Sequence, residues 1–233
     1  MKPAPGATAS QRSATAYLHG FLSGPGSKKG RALAAAFEAS GQHLDQLDLN
    51  RPSAPDLTIS AALAELDAWY SNQSGQRVAL VGSSLGGYLA ALFAARHPEA
   101  VRALVLLCPG IDMTRRWPLL FGAAAMARWQ REGRLALPNA RGVPVPVHWG
   151  FIEDAAAHAP IPAPACPTLI IHGTRDAVVP IESSRAWVTT LPDARLVEVD
   201  DDHELIASLP LIAAETLRFL FPDAPAAGAP SGR

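Results

Sequence analysis

Apolar and polar residues change period repeatedly along the chain, from short apolar runs to apolar positions three and four apart. Residues 14–18 form a short strand-like run ending in His19-Gly20-Phe21. Ser27 is a suitable N-cap for a helix whose Leu33 and Phe37 share a face, and Gly41 supplies the stop. Residues 43–49 alternate in part and predict a strand with Leu47 and Leu49 inward. Leu63, Leu66 and Tyr70 recur at helical spacing within 58–71, and Ser74-Gly75 ends that segment. A fully apolar run at 78–81 leads into an alanine-rich helix over 85–96, stopped by Pro98. A further fully apolar strand is predicted at 103–107 and strands at 168–171 and 196–199, with helices over 181–191 and 209–220. Strands that are apolar throughout suit a parallel sheet covered on both faces. The alternation therefore predicts a single α/β domain over 14–221 with a mainly parallel, helix-covered sheet.

Residues 111–163 interrupt this rhythm. The segment is Pro-rich at both ends, carries Trp117, Leu119, Leu120, Phe121, Met126 and Trp129, and has helical spacing over 116–131. An insertion between two strands of such a chain would lie over their C-terminal ends as a lid, in preference to packing as an ordinary core helix. Residues 1–13 are rich in Ala, Pro and Ser and predict a loose arm. Residues 222–233 form an Ala/Pro/Gly tail with no core-forming pattern, predicted to be disordered.

Composition narrows the function classes. A length of 233 residues with 48% apolar and 18% charged residues suits one compact domain. A formal net charge of −1 gives no electrostatic footprint for nucleic acid. Lys28-Lys29 and Arg115-Arg116 are isolated basic pairs, expected on solvated surface. The stretch 1–15 has no apolar core of a secretory signal, and no apolar run approaches the ~20 residues of a membrane span. A cytoplasmic protein without a membrane span is expected. Cys108 and Cys166 fall at the end of one strand and the start of its predicted neighbour, at opposite edges of the sheet. That separation exceeds disulfide reach, so both are expected as free, buried thiols.

The candidate chemistry centres on Gly82-Ser83-Ser84-Leu85-Gly86, set between an apolar strand and a helix. This is the G-x-S-x-G elbow in the strand–turn–helix context it requires. Glycines two residues either side of Ser84 remove Cβ atoms from a tight turn, and the frame selects Ser84 over Ser83 as nucleophile. A serine hydroxyl needs a base to take its proton, and the base needs an orienting acid. Asp176 follows one strand and His203 follows the next, both on the edge that carries the elbow. Asp112 is the rival acid, while His19 and His172 are weaker candidates for the base because each precedes a glycine in a strand-end turn. His19 is expected instead to shape the oxyanion loop. The backbone N–H of Leu85 and that of Phe21, with Leu22 as the less favoured choice, are the candidate oxyanion donors. Leu22, Trp117, Phe121 and Trp129 are the candidate wall of an apolar pocket. Asp200-Asp201-Asp202 has no EF-hand spacing and no H-E-x-x-H occurs, so no metal site is predicted.

With these residues in view, the chain resembles the α/β-hydrolase superfamily from about residue 14 to 221. Tyr17-Leu18-His19-Gly20-Phe21, Ser27-Lys28-Lys29 and the run 82–88 are similar, more narrowly, to small bacterial YqiA-type esterases. That resemblance implies a carboxylesterase without cofactors, acting on a small-molecule ester through Ser84, Asp176 and His203. Phe151-Ile152-Glu153-Asp154 with His158 is also similar to acyl-protein thioesterase-like hydrolases, which makes a thioesterase with the same triad the alternative. A non-catalytic receptor on this fold would usually have lost a triad member, and none is missing.

Overall fold

The computed structural model describes residues 14–223. The expected arm 1–13 and nearly all of the tail 222–233 lie outside them. Six parallel strands form the main sheet: β1 (Thr15–Leu18), β2 (Asp45–Leu47), β3 (Val78–Ser83), β4 (Val101–Leu107), β7 (Thr168–Gly173) and β8 (Ala194–Val199). Their spatial order is β2-β1-β3-β4-β7-β8. The chain steps outward from β1 to β2 and then returns to build on the other side of β1. The strand order therefore reverses between β1 and β3, the place where open α/β sheets hold ligands at the carboxyl ends of their strands.

The helices follow their sequence signals. α1 (Lys28–Ala39) starts where the Ser27 side chain accepts the Gly30 N–H, and Gly41 leaves it at φ +73°. α2 (Ile59–Ser71) is capped by Thr58, and Ser74 and Gly75 both take positive φ beyond its end. α3 (Leu85–Arg96) is buried on almost every side, so its apolar residues encircle it without forming a stripe. Strand β2 is shorter than the 43–49 expected, although Leu49 beyond it is buried. It has a sheet partner on one side only, which leaves little to extend the ladder. Cys108 and Cys166 are both free and buried.

The segment 111–163 departs most from expectation. The single helix expected over 116–131 is two helices, α4 (Met113–Phe121) and α5 (Ala123–Glu132), broken at Gly122. Gly122 has φ +79°, a conformation that ends a helix cheaply only at glycine. The chain then makes an antiparallel hairpin of β5 (Arg134–Pro138) and β6 (Pro144–His148), before the short α6 (Gly150–Ala156). Three prolines obscure these strands in the sequence, since proline cannot donate to a ladder. A two-stranded ribbon tolerates them because each strand has an unpaired outer side. Leu135, Leu137 and Val147 turn inward and carry the ribbon's burial. The last two helices, α7 (Ile181–Val188) and α8 (Leu209–Leu220), flank β8 in sequence. No helix among the described residues is long and apolar enough to cross a membrane.

Two glycines let α3 close onto the sheet. A Cβ on Gly86 would stand 2.2 Å from the Leu18 carbonyl oxygen, and one on Gly82 would stand 2.3 Å from that of Gly86. Both obstacles are backbone and cannot swing aside. Gly86→Ala is therefore expected to destabilise by about 3 kcal/mol or more, at the upper end of overpacking costs. Gly87→Ala, whose Cβ would meet Pro109 at 3.1 Å, should cost clearly less. Urea denaturation of the two variants checks this, and equal losses would remove the elbow contact as the cause.

Candidate active site

Strand β3 ends at Ser83 and α3 begins at Leu85, which leaves Ser84 to make the turn at φ 53° and ψ −116°. Positive φ on a non-glycine residue is strained and must be held by its surroundings. Three backbone bonds do so: the Ser84 N–H donates to Leu107 at 2.9 Å, and the Ser84 carbonyl accepts from Tyr88 at 3.1 Å and Gly110 at 2.9 Å. The hydroxyl is thus aimed from a fixed backbone.

His203 sits on the loop after β8, with Nε2 3.0 Å from Ser84 Oγ and Nδ1 2.7 Å from Asp176 Oδ2. Asp176 lies on the loop after β7. Its Oδ1 accepts the N–H groups of Val178 and Val179, each at 2.8 Å, which fixes the carboxylate plane. The Asp176 side chain is wholly shielded from solvent. Burial pushes its pKa up, but hydrogen bonds from His172 and His203, the nearby imidazole of His203 and the Val179 N–H outweigh that and hold it far below the usual carboxylate range. Asp112 is engaged elsewhere: it takes a left-handed conformation before α4 and faces Arg115 at 3.6 Å.

The two rival histidines have structural partners. His19 is buried, with Nδ1 2.9 Å from the Gly20 carbonyl and Nε2 accepting the Leu49 N–H at 3.1 Å. Those partners select the Nδ1–H tautomer, and burial lowers its pKa. The ring thus braces the start of the loop after β1. That loop comes close to the elbow, because a Cβ on Gly20 would stand 3.4 Å from the Ser84 Cβ. His172 is fully buried: its Nε2 lies 2.9 Å from the Val179 carbonyl and 3.2 Å from Asp176 Oδ2, and Nδ1 meets Ser184 Oγ at 2.8 Å. It is a second orienting partner of Asp176. Nothing in the sequence pattern marks this role, which depends on the packing of α7 against β7.

Within the Asp200–Asp202 run, Asp200 pairs with Arg175 of the loop after β7 at 2.7 Å, and the other two serve their own loop. Asp201 accepts the N–H groups of Asp202 and Ser208 at 2.9 Å each, and Asp202 accepts that of Glu204 at 2.8 Å. Lys29, expected on solvated surface with Lys28, is instead buried at 8% exposure, whereas Lys28 is exposed. One grouping among the described residues could supply metal ligands, since donor atoms of Cys108, Asp176 and His203 lie within 4.8 Å of one another. Its carboxylate and imidazole already bond to each other, and burial drives the Cys108 thiol pKa up, away from the thiolate that metals require.

A cleft of about 400 Å³ opens beside Ser84 and His203. Its apolar wall is Phe21, Met113, Trp117, Leu120 and Phe121; Tyr17, Lys29 and Glu204 are among the residues on its polar side. Phe21 and Trp117 thus stand beside the serine with their ring centres 5.5 Å apart. Two of the expected pocket residues lie elsewhere. Trp129 is fully buried behind the wall, stacked on Trp117 at 5.9 Å with its indole N–H on the Val147 carbonyl at 2.8 Å. Leu22 is buried in the core and borders an adjoining surface cleft together with Asn50 and Arg141. A smaller apolar pocket, lined in part by Leu85, Tyr88 and Phe151, shares Trp117 and Met113 with this cleft.

The depressed Asp176 pKa has a consequence for acid stability. A carboxylate held below its unfolded value of ~3.9 contributes stability above that pH and loses it as the pH falls. Asp176→Asn abolishes this titration. Stability measured by urea denaturation from about pH 5 to 2 should therefore fall less steeply in the variant than in wild type. Parallel curves would mean that the carboxylate is not held this way.

Comparison with known proteins agrees with this architecture. The mouse α/β-hydrolase domain-containing protein 10 superposes with a TM-score of 0.73 at 21% identity, covering 89% of each chain. In sequence, the chain is 27% identical over 220 residues to the mitochondrial palmitoyl-protein thioesterase ABHD10 of Rattus norvegicus, covering 83% of this chain and 72% of that one. It is 28% identical over 151 residues to the pimeloyl-[acyl-carrier protein] methyl ester esterase of Chromobacterium violaceum, covering 51% of this chain and 59% of that one. Residues 14–212 match the model of the uncharacterised protein family UPF0227. Carrying the α/β-hydrolase fold, with its elbow serine at the edge where the strand order reverses, this chain belongs to that family.

Proposed function

We propose that the protein is a serine hydrolase that cleaves carboxylic esters of short-to-medium acyl groups through an acyl-enzyme on Ser84. One observation carries this reading: Ser84 Oγ, the His203 ring and the Asp176 carboxylate stand in line at 3.0 Å and 2.7 Å. His203 Nε2 takes the serine proton as Oγ attacks the ester carbonyl, and Asp176 steadies the imidazolium that forms. The N–H groups of Leu85 and Phe21 receive the oxyanion. Collapse of the tetrahedral intermediate breaks the ester C–O bond, and His203 returns its proton to the departing alcohol. Water, deprotonated by His203, then releases the acid and regenerates the serine hydroxyl. This sequence needs no cofactor.

Substrate size follows from the walls. The insertion over 111–163 acts as the lid, with Trp117, Leu120 and Phe121 holding the acyl chain above the serine. Each buried methylene is worth ~0.8 kcal/mol until the chain meets a close-packed wall. An optimum near about four to eight carbons fits a cleft at the small end of ligand sites. The similarity to a palmitoyl-protein thioesterase favours a second reading, in which the same three residues cleave thioesters.

Two experiments test these readings. Ser84→Ala should fold and lose labelling by a fluorophosphonate probe, whereas Ser83→Ala should keep it; the reverse pattern would move the nucleophile. Steady-state kinetics with oxygen esters and thioesters of graded acyl length should give a peak at short-to-medium oxygen esters. Trp117→Leu should move that peak to longer chains, because Trp117 lines both the cleft and the smaller apolar pocket and its truncation adds room to both. A clear preference for palmitoyl thioesters would instead promote the second reading.

A further inference from the structure

Lys29 is placed at a local cost. It lies in the first turn of α1, where the helix dipole disfavours a cation and that turn carries no acidic residue. It is also buried, and burying an ammonium is expensive unless acceptors surround it. Burial accordingly lowers its pKa, while the nearby carboxylates of Glu204, Asp176 and Asp202 act in the opposite sense. Neither helix propensity nor solvation explains a lysine at this position. Its hydrogen bonds do: Nζ donates to the backbone carbonyl of His203 at 3.2 Å and to that of Glu204 at 3.1 Å.

The loop from Asp200 to Ser208 is fastened unevenly. Its base is tied to the loop after β7, where the Arg175 N–H donates to the Asp201 carbonyl at 3.0 Å and the Thr174 N–H donates to Val199 at 2.8 Å. Asp201 and Asp202 close turns within the loop itself. Those ties hold N–H groups at Glu204 and Leu205, whereas the carbonyls of His203 and Glu204 are held by Lys29, from 174 and 175 residues away in sequence. Charge-assisted bonds to two successive carbonyls fix the position and the tilt of that peptide unit, and with them the origin of the His203 side chain.

We propose that Lys29 is a positioning residue for the catalytic step: its ammonium anchors the His203–Glu204 backbone so that the imidazole stays in line between Asp176 and Ser84. This rests on the reading of His203 as the base. Lys29 also borders the cleft, so a direct contact with substrate is the role to be distinguished from anchoring.

Lys29→Met and Lys29→Gln both break the two bonds, one with an apolar and one with a polar side chain too short to reach. Lys29→Arg keeps a charged donor. With the ester series, both breaking variants should lose about 10- to 100-fold in kcat, as misplaced catalytic groups do, with KM little changed. Lys29→Arg should recover part of the loss. The low-field proton resonance of His203 Nδ1–H on Asp176 should broaden or vanish in the breaking variants and persist in Lys29→Arg. A wild-type kcat in both breaking variants, a rise in KM with kcat kept, or an unchanged resonance would overturn the proposal. So would failure of both variants to fold, which would make Lys29 a stability element. The resonance needs no turnover and still reports the anchor if fluorophosphonate labelling of the wild type shows that Ser84 is not the nucleophile.

Discussion

The approach of α3 to the backbone of β1 is the constraint on which the rest depends. Gly86 lies against the Leu18 and His19 carbonyls, at a separation that no side chain allows. That contact packs the helix onto the sheet directly behind the turn and forces Ser84 into its positive-φ conformation. The serine hydroxyl therefore stands clear of the sheet, beside the loop after β1. A looser junction would relax the turn and drop the hydroxyl back toward the strand. The strain at Ser84 is maintained by the burial of α3, whose apolar residues fill the core on nearly all sides.

Around that point the structure surrounds a few polar groups with fixed partners. Asp176 is satisfied by two backbone N–H groups and two imidazoles, His172 by Ser184 and Val179, and His19 by Gly20 and Leu49. Buried polar groups with partners on every side have little freedom to reorient, because any other arrangement leaves one unsatisfied. The result is a rigid edge of loops in which the His203 ring is oriented by fixed partners. Lys29 extends the same logic from the far side of the His203 loop.

The insertion works by different physics. Phe21, Trp117, Phe121, Trp129, Trp149 and Phe151 form a chain of ring contacts with centroids 4.7 to 6.0 Å apart. These rings fasten α4, α5 and α6 to the loop after β1 through apolar contact. Such packing is non-directional, so the wall of the cleft can vary in shape while the polar edge beneath it stays put. The apolar wall of the cleft and the polar edge beside Ser84 thus rest on separate parts of the fold.

The sequence by itself determined the elements whose signals are local. Fully apolar strands announced the covered parallel sheet, and Gly82 and Gly86 marked the elbow, because a tight turn excludes Cβ atoms whatever the context. The chain order of Ser84, Asp176 and His203, each just beyond a strand end, brought the candidate triad within reach before any distance was known. Tertiary structure alone decided the rest. The break at Gly122 and the proline-bearing ribbon after it depend on partners that periodicity does not register. The partnership of His172 with Asp176 arises from α7 lying on β7, and the burial of Lys29 from carbonyls 174 and 175 residues away. Trp129 and Trp117 carry the same sequence signal, yet one backs the wall and the other faces the serine. Local patterns record what a residue requires of its neighbours in the chain, whereas only the closed fold supplies the distant groups that decide what a buried charge or ring will touch.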